Sequence, residues 1–279
     1  IEPYFSTQPG YAEQQPDYFW SALCQACQEL WPQLDFPRQN IQAVSVTTQR
    51  ATVVAMDKHG LPLRAAISWL DQRQVDSEPQ LSALESLLFT MVKAKGSVHA
   101  FHAQAEANWI AQKEPQLWAR VDKFLLLSGY HNYQLTGRYK DSIASQVGYV
   151  PFDFKKLKWA QSKDWKWRAI PAITREMLPE LVPAGESLGH ITPMASEQTG
   201  IPEGLPLIAC GSDKACEVLG TGCLDNETGS LSYGTTATFN ITSDKYFEAV
   251  PFHPAYPGVI PNTFNVEMMV QRGYWMVSW

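Results

Sequence analysis

Apolar and polar positions between residues 205 and 241 predict a strand, a helix and a second strand. Leu205–Cys210 is a short apolar run with the length and β-leaning content of a buried strand. Asp213 opens a segment whose apolar positions fit one face of a short helix, and the glycine-containing residues 220–222 are expected to end it. A second β-like run, Ser230–Ile241, carries a glycine in its middle, which marks a bend or a close backbone approach.

Similar patterns of strand and helix occur in the preceding part of the chain. A helix is predicted from Pro16 to about Leu30, because proline suits a first helical turn. Ile41–Thr48 and Ala51–Met56 are predicted to be the two strands of a hairpin. Ala103–Gln112 fits a helix, and Gly129–Gly137 fits a short helix closed by glycine.

The candidate chemical groups are Asp213 and the run Gly234, Thr235 and Thr236. An acid at a strand-to-helix turn lies at the edge of a sheet and faces a cleft, where open α/β sheets bind ligands. A Gly-Thr-Thr turn offers N–H groups and hydroxyls to phosphate oxygens. Phosphoryl transfer needs such a base for the acceptor hydroxyl and such donors for the nucleotide. Taken singly, the acid is better explained as a helix cap and the glycines as ordinary turns, but their combination favours function.

The stretch GLPLIACGSDKACEVLGTG, followed by LSYGTTA, resembles the junction between the two domains of the FGGY carbohydrate kinases, such as glycerol kinase, xylulokinase and ribulokinase. The matching positions are Pro206, Gly211, Asp213, Gly220, Gly222, Gly234 and Thr235. This resemblance implies an α/β protein of the actin-like ATPase (ribonuclease H-like) fold, with a mixed sheet flanked by helices. It divides the chain into an N-terminal sugar-binding domain over residues 1–222 and the beginning of a nucleotide-binding domain over residues 223–279.

Two further motifs support the resemblance. Residues 10–16, GYAEQQP, resemble the family's G-W-x-E-Q-D-P, and residues 65–73, AAISWLDQR, resemble its x-x-I-x-W-x-D-x-R. A tryptophan flanked by an acid and a base can form the wall of a sugar site, so Trp69 and Asp71 are predicted substrate-binding residues. The alternative, in which Trp69 belongs to the core and Asp71 forms a structural pair with Arg73, stays open.

The resemblance implies further substrate contacts from Arg50, Phe101 and Lys214. Arg50 matches an arginine of glycerol kinase, but Ala51 stands where glycerol kinase has a glutamate, which disfavours glycerol as the substrate. A surface ion pair is the alternative role for Arg50. Phe101 stands near the place where glycerol kinase offers a tyrosine. Lys214 departs from the family, and beside the acid it would lower the pKa of that acid or bind an acidic substrate.

One departure falls in the first family signature, K-x-x-W-[LI]. Trp109 and Ile110 match its last two positions, but Glu106 stands where the family has lysine. Together with Ala51 and Lys214, this weakened signature supports an alternative function, that of a catalytically impaired sugar-binding or regulatory relative. Another actin-like ATPase, with no sugar substrate, is the second alternative.

Composition narrows the list of partners. The 279 residues carry a net charge of −6, which argues against nucleic acid or an anionic membrane as a partner. Residues 151–170, rich in lysine and tryptophan, are therefore predicted to be a connecting segment with a solvated face. Five cysteines, an odd number, favour a reducing compartment and hence the cytoplasm, with Cys24 and Cys27 as buried thiols rather than zinc ligands. No apolar run has the length of a membrane span and no secretory leader is visible, although the chain opens on Ile1 rather than Met.

The resemblance implies ATP-dependent phosphorylation of a hydroxyl of a small sugar or polyol, such as a pentulose, with Asp213 as the general base. ATP and Mg²⁺ are the expected cofactors: residues 234–236 would donate to the phosphates, and Mg²⁺ would bridge those phosphates, with Asp213 as the one protein ligand considered. A homodimer is compatible with the resemblance. The family's opening strands, with a D-x-G-[ST] phosphate loop, are expected before Ile1, and most of the nucleotide-binding domain after Trp279.

Overall fold

The computed structural model describes residues 4–91, 95–233, 237–250, 253–270 and 273. Their helices, in chain order, are α1 (Pro16–Leu30), α2 (Ala83–Met91), α3 (Lys95–Gln104), α4 (Glu106–Lys113), α5 (Pro115–Trp118), α6 (Leu127–Thr136), α7 (Trp165–Ala169), α8 (Pro193–Thr199) and α9 (Asp213–Gly220). Their strands are β1 (Glu13–Gln14), β2 (Val53–Met56), β3 (Ala66–Ile67), β4 (Lys123–Leu126), β5 (Lys140–Ser142), β6 (Phe152–Asp153), β7 (Lys158–Trp159), β8 (Glu180–Val182), β9 (Ser187–His190), β10 (Pro206–Ile208), β11 (Gly229–Tyr233), β12 (Ala237–Ser243), β13 (Tyr256–Pro257) and β14 (Phe264–Val270).

Two helix predictions are confirmed at the ends where sequence signals are strongest. Helix α1 begins at Pro16, with Asp17 in its first turn, where a carboxylate interacts favourably with the helix dipole. Helix α6 ends at Gly137, whose φ of 66° lies in the left-handed region that glycine enters at low cost. Both ends are set by local chemistry, which is why the sequence alone was sufficient to find them.

An antiparallel sheet in the order β1-β3-β2-β4 contributes to the core of the protein. All four residues of β2 are buried, as expected for a central strand covered on both faces. Val53 pairs with Ile67 on one side and with Leu126 on the other. Helix α4 packs with this sheet through Ile110, which is 1% exposed. A parallel pair, β5 and β8, gives the chain both strand orientations.

The predicted hairpin between residues 41–48 and 51–56 is wrong. Residues 41–48 contain a single parallel bridge, between Val44 and Leu207 of β10. The N–H of Val44 donates to the carbonyl of Pro206 (3.1 Å), and the N–H of Ile208 donates to the carbonyl of Val44 (2.8 Å). The segment therefore follows β10 rather than β2. Strand periodicity tells which residues are extended but not which strand they pair with.

The segment 151–170 was predicted to be a connecting segment with a solvated face, and its aromatic residues give it a buried face as well. Phe152, Phe154 and Trp159 are buried in the main core, whereas the neighbouring lysines 155, 156 and 158 are exposed. The ring of Phe152 makes edge-to-face contacts with both of the other two aromatics. In and around the short hairpin β6-β7, the aromatic side chains are therefore buried and the lysines are exposed.

A second antiparallel sheet, in the order β11-β12-β14-β13, is formed by residues 229–270. The run Ser230–Ile241, predicted to be one strand, is divided between β11 and β12, with Tyr233 opposite Ala237. Residues 234–236 lie outside the described residues, so the predicted phosphate loop has no structural account here. The domain boundary at residue 222 stays a prediction. None of the described helices is long and apolar enough to cross a membrane.

Candidate active site

A polar cavity of about 370 Å³ opens beside β3 and the start of α4. It is lined by Ala51, Trp69, Asp71, Gln72, Arg73, Gln74, Gln104, Glu106 and Tyr149. Trp69 remains 49% exposed, so its ring offers an apolar wall to whatever enters. Ligand sites commonly have volumes of roughly 300–1,000 Å³, so this cavity has room for a small molecule. One aromatic wall surrounded by amides, a phenol and charged groups is suited to a sugar or polyol.

A break between two helices supplies one side of this cavity. The predicted single helix Ala103–Gln112 is wrong, because Ala105 has an extended conformation and separates α3 from α4. The break places Gln104 at the end of one helix and Glu106 at the start of the next, and both line the cavity. The hydroxyl of Tyr149 donates to the side-chain oxygen of Gln104. Helix periodicity could not reveal a break at an alanine, which is itself a strong helix former.

Asp71 and Arg73 form a buried ion network under the cavity. Oδ1 of Asp71 accepts from the backbone N–H and the Nε of Arg73 (2.9 and 2.7 Å). Its Oδ2 accepts from the N–H of Ala12 and from Nη2 of Arg73 (2.6 and 2.7 Å). A carboxylate has about four acceptor sites, so those of Asp71 are filled by the protein. Asp71 thus has a structural role, and its predicted sugar contact stays a prediction.

Residues 10–16 also contact Arg73. Nη2 of Arg73 also donates to Oε1 of Glu13 (2.7 Å). The guanidinium lies over the rings of Tyr11 and Trp109, 4.0 and 4.4 Å from their centroids. Three motifs that looked separate in the sequence, residues 10–16, 69–73 and 106–110, therefore meet at one arginine.

Asp213 lies at the strand-to-helix turn predicted from the sequence. It is the first residue of α9 and is exposed. Its backbone N–H donates to the carbonyl of Thr48 (2.9 Å), and the hydroxyl of Thr47 donates to the carbonyl of Gly211 (2.9 Å). Oδ1 of Asp213 accepts the N–H of Lys214 (2.7 Å). The backbone of the turn is thus fixed, while its carboxylate faces outward.

Residues 48–52 connect this turn to the cavity. Thr48 holds the backbone of Asp213, and Ala51, three residues later, lines the cavity. Three residues of extended chain span at most about 11 Å. The hydroxyl of Thr52 accepts from the N–H of Trp69 (3.3 Å), which ties the same segment to the aromatic wall. One short stretch of chain therefore contacts the turn before α9 at one end and lines the cavity at the other.

Arg50 and Lys214 are each held by a carboxylate and do not line the cavity. Nη2 of Arg50 forms an ion pair with Oε1 of Glu267 (3.1 Å), and Nζ of Lys214 forms one with Oε2 of Glu217 (2.6 Å). The glutamate paired with Arg50 has a side chain only 6% exposed, so this is a mostly buried pair rather than the surface pair considered from the sequence. It links residues 48–52 to β14.

Phe101 is also absent from the cavity lining. Its ring packs against Tyr149 and Trp165, with centroids 5.3 and 5.5 Å apart. The tyrosine that lines the cavity is Tyr149, and the pKa of its hydroxyl is raised by burial and by Glu106. Sequence reasoning missed Tyr149 because it stands in a loop with no motif around it. Phe101 thus contacts a cavity-lining residue without lining the cavity itself.

Two thiols flank the turn that carries Asp213. The sulfur atoms of Cys210 and Cys216 are 3.3 Å apart, and neither residue is fully buried. The hydrogen bond from Cys210 is the main cause that lowers the pKa of Cys216, to about 6. Cys24 and Cys27, predicted to be buried, are half-buried in α1, and burial raises the pKa of both. Among the described residues no group of three or more His, Cys, Asp or Glu is arranged to hold a metal ion.

Comparison with known sequences identifies the relatives of this chain. The profile of the FGGY family of carbohydrate kinases, N-terminal domain, matches residues 3–220. The uncharacterized sugar kinase YgcE of Escherichia coli is 29% identical over 284 residues, which cover 100% of this chain and 49% of that protein. The xylulose kinase of Lactococcus lactis is 25% identical over 236 residues, covering 85% of this chain and 46% of the relative. The chain therefore spans about half the length of these relatives.

Solved structures share the fold. The xylulose kinase from Rhodospirillum rubrum superposes with a TM-score of 0.80 at 21% identity, over 99% of this chain and 56% of that one. The gluconate kinase from Lactobacillus acidophilus gives 0.79 at 18% identity, over 99% and 55%. The predicted actin-like ATPase fold, incomplete relative to the two-domain kinases, is confirmed by these likenesses.

Proposed function

Because this chain belongs to the FGGY family of carbohydrate kinases, we propose that the intact protein transfers the γ-phosphoryl group of ATP to a hydroxyl of a small sugar or polyol. A pentulose or a related compound is the proposed acceptor. The observation that carries the proposal is the connection between a sugar-sized polar cavity and an exposed carboxylate through residues 48–52.

The cavity would hold the acceptor. The exposed ring of Trp69 would pack against C–H groups of the carbon chain, and Gln72, Gln104 and Tyr149 would bond its hydroxyls. Arg73 and Asp71, locked into each other, would keep the wall in one geometry. A rigid wall matters because a displacement of about 1 Å at a reacting group costs roughly 10²-fold in rate.

Asp213 would act as the general base. It would take the proton of the acceptor hydroxyl while that oxygen attacks the γ-phosphorus, and the bond to the departing ADP would break. Its exposed carboxylate is free of any ion pair with the described residues and is therefore free to meet a hydroxyl. The Thr48 contact would fix the direction from which it does so.

ATP with Mg²⁺ would supply the phosphoryl group. Gly234, Thr235 and Thr236 would donate hydrogen bonds to its phosphates, a role that rests on the sequence because these residues lie outside the described part of the chain. Residues 1–222 and 223–279 would belong to the two domains that close on the substrates and exclude water. The ion pair between Arg50 and Glu267 joins these two parts.

The test is ADP release by the intact protein with Mg-ATP across a panel of ketoses, polyols and sugar acids. Asp213→Asn tests the base, and Asp35→Asn, at an exposed aspartate outside the cavity lining, is the matched control. Turnover with one acceptor, lost in the first variant and kept in the second, supports the kinase. A folded protein that binds sugar without any turnover would instead support the regulatory relative.

A further inference from the structure

Glu106 is a buried acid that the proposed chemistry does not use. It is 8% exposed, begins helix α4 and lines the cavity. Its Oε2 has no hydrogen-bond partner in the described part of the chain, and the residue forms no ion pair there. A buried carboxylate oxygen without a partner is costly, so such a group usually serves a ligand or another function.

Arg73 offers the complementary group at the same cavity. Nη2 and Nε of this arginine are bonded to Asp71 and Glu13, but Nη1 is buried without a partner among the residues described. Two lining residues thus leave one acceptor and one donor unfilled. A hydroxyl both donates and accepts, so a hydroxyl can satisfy groups of both kinds, whereas a carboxylate can only accept.

The charges around the cavity disfavour an acidic ligand. The positive charge of Arg73 is balanced by Asp71 and Glu13, and Lys214, which was considered as a binder of acidic substrates, is paired with Glu217. A ligand carboxylate would therefore lose water beside Asp71 and Glu106 without gaining an unpaired cation.

The electrostatics of Glu106 agree with this geometry. Burial raises the pKa of Glu106 to about 8, and the negative charge of Asp71 acts in the same direction, against the lowering effect of Arg73. The carboxyl group can bond a hydroxyl in either protonation state, as acceptor when ionised and as donor and acceptor when protonated.

We propose that Glu106 is a specificity-determining residue that bonds a hydroxyl of a neutral polyol or ketose and excludes sugar acids. The inference rests on the proposed function, because it presumes that the cavity is the acceptor site.

The experiment is isothermal titration of the intact protein with two matched pairs of ligands: xylitol against xylonate, and ribitol against ribonate. Each pair shares a five-carbon chain and differs in one terminal group, a hydroxymethyl or a carboxylate. We expect the wild type to bind the polyols at least about tenfold more tightly than the acids, because a desolvated, unpaired charge outweighs one hydrogen bond.

Two variants of Glu106 and one control variant test whether this residue sets the polyol-to-acid ratio of affinities. Glu106→Lys is expected to shift the polyol-to-acid ratio of affinities by at least about tenfold toward the acids. At pH 9, above the raised pKa of Glu106, Glu106→Gln keeps the shape and removes the charge, and it is expected to narrow the ratio by about threefold. This variant also guards against misfolding of the lysine variant. Glu197→Lys makes the same charge change at an exposed residue of α8 and is expected to leave the ratio unchanged.

The outcomes are distinguishable. A ratio that stays within twofold of the wild type in both Glu106 variants, while the polyols still bind, overturns the role of Glu106 and leaves the kinase proposal standing. Absence of binding for all four ligands, with no turnover across the acceptor panel, overturns the proposed function and the inference with it. Thermal unfolding of each variant confirms that the compared proteins are folded.

Discussion

The backbone N–H of Asp213 donates a hydrogen bond to the carbonyl oxygen of Thr48 over 2.9 Å. This contact joins two parts of the chain that are 165 residues apart in sequence, the turn before α9 and the segment that leads into the cavity. The candidate base and the candidate sugar site therefore share one short piece of backbone. Changes in residues 48–52 are expected to affect both.

Thr52 should be a sensitive position within that piece. Its buried hydroxyl accepts from the N–H of Trp69 (3.3 Å) and from Nε2 of Gln49 (2.8 Å). Thr52→Val keeps the shape but leaves both donors unpaired, so we expect a loss of about 1–3 kcal/mol in the free energy of unfolding. Thr52→Ser keeps the hydroxyl and is expected to lose less. Urea denaturation of both variants measures this, and equal losses would show that the hydroxyl does not matter.

The pair Arg50–Glu267 should couple the two parts of the chain. Glu267 has a side chain 6% exposed, and its Oε2 has no partner among the residues described, so removal of Arg50 leaves a buried charge uncompensated. We expect Arg50→Met to cost about 3 kcal/mol in stability, and Arg50→Met with Glu267→Met to cost less than the single change. A double-mutant cycle measures the coupling. Additive losses would contradict it.

Stability should fall with acidification because of His131. Burial lowers its pKa to about 4, whereas an unfolded chain holds it near 6.5. As the pH falls from 6.5 toward 4, His131 is protonated in the unfolded state but stays neutral in the folded state. The free energy of unfolding therefore decreases by up to about 3 kcal/mol. His131→Phe removes this titration. The difference between wild-type and variant stability is therefore expected to change between pH 7 and pH 4.5, and a constant difference would contradict the prediction.

Cys216 should be the most reactive thiol. The hydrogen bond from Cys210 lowers its pKa to about 6, while burial raises the pKa of Cys24 and Cys27. At pH 7 we expect iodoacetamide to modify Cys216 first, because the thiolate is the nucleophile. Cys210→Ala removes the hydrogen bond and is expected to slow this reaction by about fivefold or more. The reason is that a rise in the pKa of Cys216 lowers the fraction of thiolate, by about tenfold for each unit once the thiol predominates. Peptide mass spectrometry measures the rate at which each cysteine is modified. Faster labelling of Cys24 or Cys27 in α1 would contradict the prediction that Cys216 is the most reactive thiol.

The sequence was most informative where chemistry is local. The strand before Asp213, the start of α1 at Pro16 and the end of α6 at Gly137 are set by neighbouring residues, and all three predictions are confirmed. The wall residue Trp69 was also found, because its motif surrounds it.

The cavity as a whole could not be predicted. Tyr149 has no motif, and Gln104 reaches the cavity through a helix break that periodicity does not show. Asp71 was assigned to substrate, but its partner Ala12, and Glu13, which shares Arg73 with it, are close to it only in the folded chain. These contacts depend on which distant segments pack together, and a single sequence does not show that.

The most direct measurement is a comparison of acceptor binding with turnover in Asp213→Asn of the intact protein. If Asp213 is the general base, kcat falls by about 10²–10⁴-fold while the acceptor Kd changes by less than threefold, because the cavity is untouched. Turnover that survives this substitution at near wild-type rate would contradict the central claim that Asp213, whose backbone N–H is bonded to Thr48, performs the proton transfer.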